Sequence, residues 1–115
     1  MSDALAEENA SEKEFERLYS ELNAARGAYF DPNSDQSDEA VDARGDRYFM
    51  AERTFMATPA PRQCWVWRKW EVLETVVTRD ITDGRHTDNR IVTMLASIKA
   101  DHLRFERERR CSSTA

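Results

Sequence analysis

The chain predicts an all-α protein, a bundle of three or four helices with a C-terminal antiparallel helical hairpin. Three observations predict it. Only three glycines occur in 115 residues, too few for the tight turns of an all-β fold. Apolar residues recur at i, i+3, i+4 and i+7 in successive segments, the period of a helix with one buried face. Asp31-Pro32 and Thr58-Pro59 punctuate those segments, because the residue before proline avoids the α region.

Residues 1–10 are small and acidic and read as a frayed N-terminus. Ser11 opens the first helix, with Glu14 completing a capping box. Phe15, Leu18, Tyr19 and Leu22 follow as one apolar stripe. The polar loop DPNSDQSD ends in Ser37, a cap for the second helix, and Asp38 and Glu39 suit that helix's positive end. Val41, Tyr48 and Phe55 recur every seven residues there, broadened by Phe49 and Ala51. Gly45 inside this helix costs about 1 kcal/mol relative to alanine, and a close backbone crossing is one reason to keep it.

The segment TPAPRQCWVWRKWEVLETVV, residues 58–77, holds all three tryptophans. Its helix begins near Pro61, where a missing amide hydrogen is harmless. At about 100° per residue, Val66, Trp70, Leu73 and Val77 share one stripe and Trp67 flanks it. Trp65, Val72 and Val76 form a second strip, so this helix touches two neighbours, or one neighbour and a partner. The β-branched run Val76-Val77-Thr78 leaves a short strand as the alternative for its end. A turn at Asp83-Gly84 leads to a last helix capped by Thr87 or Asp88, with the stripe Ile91, Leu95, Ile98, His102 and Phe105. Matching stripes and a short link pair these last two helices as a hairpin. One helical domain is expected over residues 11–109, with 110–115 as a disordered tail.

Charge is divided along the chain. Residues 1–58 carry 14 Asp/Glu against 6 Lys/Arg, a net of −8, and residues 59–115 carry 8 against 11, a net of +3. The two halves attract each other, or the acidic half faces a basic partner. No apolar run reaches the ~20 residues of a membrane span, and the acidic N-terminus is no signal peptide. Cys64 and Cys111, 47 residues apart, do not read as a disulfide framework. A cytoplasmic protein is expected.

The motifs of chemistry are missing. His86, His102, Cys64 and Cys111 fall in no metal-ligand spacing. A calcium loop around Gly84 would need a carboxylate where Arg79 stands. There is no G-x-S-x-G elbow and no glycine-rich phosphate cradle. The expectation is therefore no enzyme, no catalytic residues, no cofactor and no metal. Asn89, Arg90 and Thr93 on a leading helical turn, with Arg104, Arg107, Arg109 and Arg110 for phosphates, outline a helix-turn-helix DNA binder as a third reading. The long link and the acidic balance count against it.

Binding another protein is the leading reading. Tryptophan is enriched at the energetic centres of interfaces, and three in one helix exceed what one narrow stripe needs. Trp65, Trp67 and Val72 are the expected contact strip, and spare apolar surface leaves room for a homodimer. The alternative is an acidic, anti-CRISPR-like mimic of nucleic acid that inhibits a DNA-handling or bacterial immune complex, with Glu14 and Glu21 in the binding face.

The stretch AERTFMATPAPRQCWVWRKWEVLE, residues 51–74, resembles short uncharacterised helical proteins of alphaproteobacterial genomes and their prophages. The A-E-R start, the T-P-A-P hinge and the helix after it carry the likeness. Arg68-Lys69-Trp70-Glu71 departs from the W-K-x-E-x-L order of that group. The resemblance implies a bacterial or phage accessory protein, and it brings no active-site residues with it.

Overall fold

The computed structural model describes residues 2–80 and 88–113, with side chains at 9–78 and 89–110. It is all-α. Helices α1 (Ser2–Tyr29) and α2 (Asp38–Ala57) pack on each other, as do α3 (Val66–Thr75) and α4 (Asp88–Ser113). No strand occurs among the described residues. Where the sequence reads as one domain over 11–109, the chain forms two compact units, Met1–Thr58 and Pro59–Ala115. The boundary falls where the charge changes sign.

In the first unit, α1 starts at Ser2 rather than at Ser11. The residues before Ser11 include Ala4, Leu5, Ala6, Glu7, Glu8 and Ala10, all strong helix formers. Nothing there stops the helix, so the capping-box residues sit inside it. Phe15, Leu18, Tyr19 and Leu22 are all buried, as the stripe requires, and Ala25 extends it. On α2 the buried side chains include Tyr48, Phe55 and Met56. Phe15 lies 4.8 Å from Phe55 between ring centroids, and Tyr29 lies 5.6 Å from Tyr48. High numbers on one helix thus meet low numbers on the other, so the pair is antiparallel.

Local chemistry sets the turn between them. The Asp31 carboxylate accepts the amide hydrogen of Asn33 at 2.9 Å, and Asp35 accepts that of Ser37 at 2.9 Å. Ser37 then caps α2 by accepting from the Ala40 amide. Gly45 is buried, and a β-carbon there would lie 3.2 Å from the Tyr29 ring. The glycine is the close-approach point. At the far end the Thr58 amide donates to the Phe55 carbonyl, its hydroxyl donates to Thr54, and Pro59 follows.

The second unit departs further from expectation. The α-helix begins at Val66, after a 3₁₀ turn over Gln63–Trp65, and not at Pro61. Ala60, between the two prolines, is 1% exposed and is held by α4 at both its amide and its carbonyl. That anchorage keeps the proline segment from joining the helix. The β-branched run is a π-helical turn, Val76–Asp80, and not a strand. Helix α4 runs through Ser113, so most of the supposed tail is helical. The Asp83-Gly84 turn, Thr87 and His86 lie outside the described residues.

The buried faces of this hairpin are rotated from the expected stripes. On α3 the buried residues are Val66, Lys69, Val72 and Leu73, followed by Val76, whereas Trp70 is 46% and Val77 47% exposed. On α4 they are Met94, Ile98 and Asp101, while Leu95 is 43% exposed and His102 is also exposed. One interaction accounts for both rotations.

Candidate functional site

A charge pair is sealed between α3 and α4. The Lys69 ammonium lies 2.7 Å from an Asp101 carboxylate oxygen, with the two side chains 1% and 4% exposed. Ser97 Oγ accepts a second Lys69 hydrogen bond at 2.9 Å. The Asp101 carboxylate also faces the Ala60 amide at 3.4 Å, and Arg104 approaches it at 3.6 Å. Arg104 in turn donates to the Ala60 carbonyl. One aspartate therefore ties together α3, α4 and the segment between the prolines.

A buried charge persists when paired and hydrogen-bonded. Burial nevertheless pulls the Lys69 ammonium below its ordinary value of 10.5, outweighing the attraction of Asp101, and Arg104 pushes the same way. Directing Lys69 and Asp101 inward turns their helical neighbours outward. Trp70 and His102, next in sequence to each, are displaced to the surface.

Those displaced residues build an open groove of about 540 Å³ on the second unit, lined by Trp70, Leu95, Leu103, Phe105, Lys99 and His102. The Trp70 indole N–H donates to His102 Nε2 at 3.3 Å, fixing the ring across one wall. Leu95 and Leu103 are 43% and 50% exposed. Charge sits along the edge. Lys99 makes no ion pair among the described residues. Glu106 accepts from Arg109 at 2.7 Å and from Arg110 at 3.3 Å. The Arg109 hydrogen bond holds the Glu106 carboxyl below its ordinary value. An apolar floor with a charged rim is the composition of a contact surface.

The expected contact residues are scattered. Val72 is 8% exposed and belongs to the core, so it is withdrawn from the contact strip. Trp65 is half-buried and Trp67 is 51% exposed. The Arg68 guanidinium lies 4.8 Å from one of these rings and 4.9 Å from the other. Neither lines the groove. Glu14 and Glu21 are on α1, paired with Arg17 at 2.6 Å and Arg47 at 3.0 Å. Asn89 and Thr93 are exposed on α4 and Arg90 is half-buried, but α4 spans 26 residues, far beyond a recognition helix. Cys64 is a free, exposed thiol, and the side chains of His86 and Cys111 lie outside the described set.

No family model, curated protein or solved structure matches the chain. Among the described residues no helix is long and apolar enough to cross a membrane.

The sequence missed Trp70, Leu95 and His102 as surface residues because each occupies an apolar position at helical spacing. The available signal was Lys69, set one position from Trp70 amid apolar residues. A lysine there matters only if an acid on the facing helix can take it, and Asp101 is the acid beside Ile98 and His102.

Proposed function

We propose that this chain is an accessory protein that acts by binding another protein through the groove on its second unit. The observation that supports the reading is the set of large apolar side chains, Trp70, Leu95 and Leu103, left half-exposed in one concave patch. Scattered exposed apolar residues are ordinary, but a contiguous group with a charged rim marks an interaction site. The reading is of a cytoplasmic bacterial or phage protein without catalytic chemistry, in line with the resemblance of residues 51–74. Helices seat well in such grooves, using anchors spaced along one face.

The test is affinity capture from a host lysate with wild-type protein and with Leu95→Arg, which adds charge to the groove at an already exposed position. Loss of a specific captured protein by the variant, with an unchanged melting curve, is the expected result. Equal capture by both proteins would refute the groove.

A second reading has one observation in its favour. One compact unit, Met1–Thr58, carries a net charge of −8 against +3 for the rest of the chain, so an acidic face is available to a basic DNA-handling complex. Reversing Glu14 and Glu21 together should then weaken inhibition of that complex, and indifference to the reversal would remove the idea.

A further inference from the structure

We infer that the Trp70–His102 hydrogen bond is an acid-released latch on the groove wall: neutral His102 holds the Trp70 indole in place, and protonation of the imidazole frees it. As regulation of the proposed binding site, the latch rests on that reading.

The geometry requires one protonation state. The indole N–H can only donate, so His102 Nε2, 3.3 Å away, accepts with its lone pair. The ring proton of the neutral imidazole then sits on Nδ1. An imidazolium carries N–H on both nitrogens and accepts nothing. One proton taken from solvent onto Nε2 therefore sets two donors against each other, and the contact breaks. Histidine is the side chain whose charge ordinarily changes between about pH 5 and 8.

The surroundings confine the change to side chains. Lys69 and Asp101 directly precede the two latch residues in sequence and meet at 2.7 Å in the core. That pair holds α3 to α4 beneath the latch, so the helices stay together when it opens. The charged groups lining the groove with His102 are Lys99, Glu106 and Arg109, all on α4. Helix α3 contributes Trp70 to that lining, and the 3₁₀ turn contributes the uncharged Gln63. Glu106, the one acid among them, already holds Arg109 and Arg110. The ring centroids of Trp70 and His102 stand 6.3 Å apart, beyond the ~6 Å within which an aromatic face holds a cation. The protonated ring thus gains no attraction to Trp70 in place of the lost hydrogen bond. Trp70 is 46% exposed, so a freed indole has room to turn away from the wall.

Proton NMR of the full chain, followed from about pH 8 to about pH 5, tests this. Trp70→Phe identifies the Trp70 indole N–H signal as the one that disappears. In the wild type that signal should start downfield, as a hydrogen-bonded N–H does, and move upfield on acidification, while the signals of Trp65 and Trp67 hold still. His102→Gln offers a carbonyl acceptor that does not titrate, and its Trp70 signal should be independent of pH. His102→Ala lacks the acceptor and should show the acid position throughout. His86 is present in every one of these proteins, so its own titration produces no difference between them. A wild-type signal that stays fixed would overturn the inference, as would one that moves equally in His102→Gln. The measurement needs no partner, which separates it from the test of binding. A titrating signal in a protein whose Leu95→Arg variant captures as the wild type does would keep the latch and remove the binding site. A fixed signal with capture lost in Leu95→Arg would remove the latch and leave the proposed function standing.

Discussion

Lys69 and Asp101 meet at 2.7 Å in the interior of the second unit, where neither side chain exceeds 4% exposure. The carboxylate faces the Ala60 amide as well as the ammonium, so the pair also fixes where α3 begins. Removing one partner leaves the other charged and buried, which costs about 3–5 kcal/mol. Lys69→Met should therefore lower unfolding stability by that amount in a urea titration.

The double variant Lys69→Met, Asp101→Leu separates the pair from its surroundings. Replacing a buried ion pair with apolar groups is often neutral or stabilising. Here Asp101 also serves the Ala60 amide, and Arg104 stands 3.6 Å away. An unsatisfied buried amide costs about 1–3 kcal/mol. The double variant should recover part of the single-mutant loss and remain about 1–3 kcal/mol below wild type. Full recovery would mean that the Ala60 contact contributes nothing.

The depressed Lys69 value sets the sign of an alkaline effect. Below the folded-state value both states hold the proton and this group gives no pH dependence. Between that value and 10.5, the unfolded chain binds a proton that the folded chain has shed. Rising pH then favours folding through this group. The stability gap between wild type and Lys69→Met should widen in favour of wild type as pH rises from neutral towards 10.5. Denaturant titrations of both proteins across that range measure it. A narrowing gap would mean that Asp101 raises the folded-state value instead.

Two glycines in helices give opposite expectations. A β-carbon at Gly27 meets nothing within 4 Å, so Gly27→Ala gains helix propensity freely and should stabilise by about 0.5–1 kcal/mol. At Gly45 the same atom comes 3.2 Å from Tyr29. The Tyr29 ring has little freedom to retreat, with Phe30 at 4.9 Å, Tyr48 at 5.6 Å and Phe49 at 6.0 Å between centroids. Overpacking costs about 1–3 kcal/mol, more than propensity returns. Gly45→Ala should therefore lower the melting temperature while Gly27→Ala raises it.

The first unit was largely legible because, Glu52 apart, its buried side chains are apolar. Phe15, Leu18, Tyr19 and Leu22 form one stripe with no competitor, and Ser37 caps where its position says it should. The second unit was legible only in outline. A stripe reading assigns Trp70 and Leu95 inward because they are apolar, and it sends Lys69 and Asp101 outward because they are charged. Their mutual pairing across two helices reverses all four, and it joins positions 32 residues apart that periodicity within one helix cannot connect. The groove follows from that reversal, so it was hidden by the same cause. The start of α1 was missed for a different reason: a capping-box pattern carries no information when strong helix formers precede it.

The rotation of α4 is open to direct measurement. A stripe reading makes Leu95 a core residue, while the structure leaves it 43% exposed and buries Met94 and Ile98 at 2% and 1%. Truncating a buried methionine or isoleucine to alanine costs about 2–5 kcal/mol, through lost transfer energy and the cavity left behind. Truncation at an exposed helix position falls within about 0.5 kcal/mol of neutral. Met94→Ala and Ile98→Ala should thus each destabilise strongly, and Leu95→Ala hardly at all. Melting curves of the three variants measure the difference. A large loss at Leu95 with tolerance at Met94 would return α4 to the orientation of its apolar stripe and close the groove.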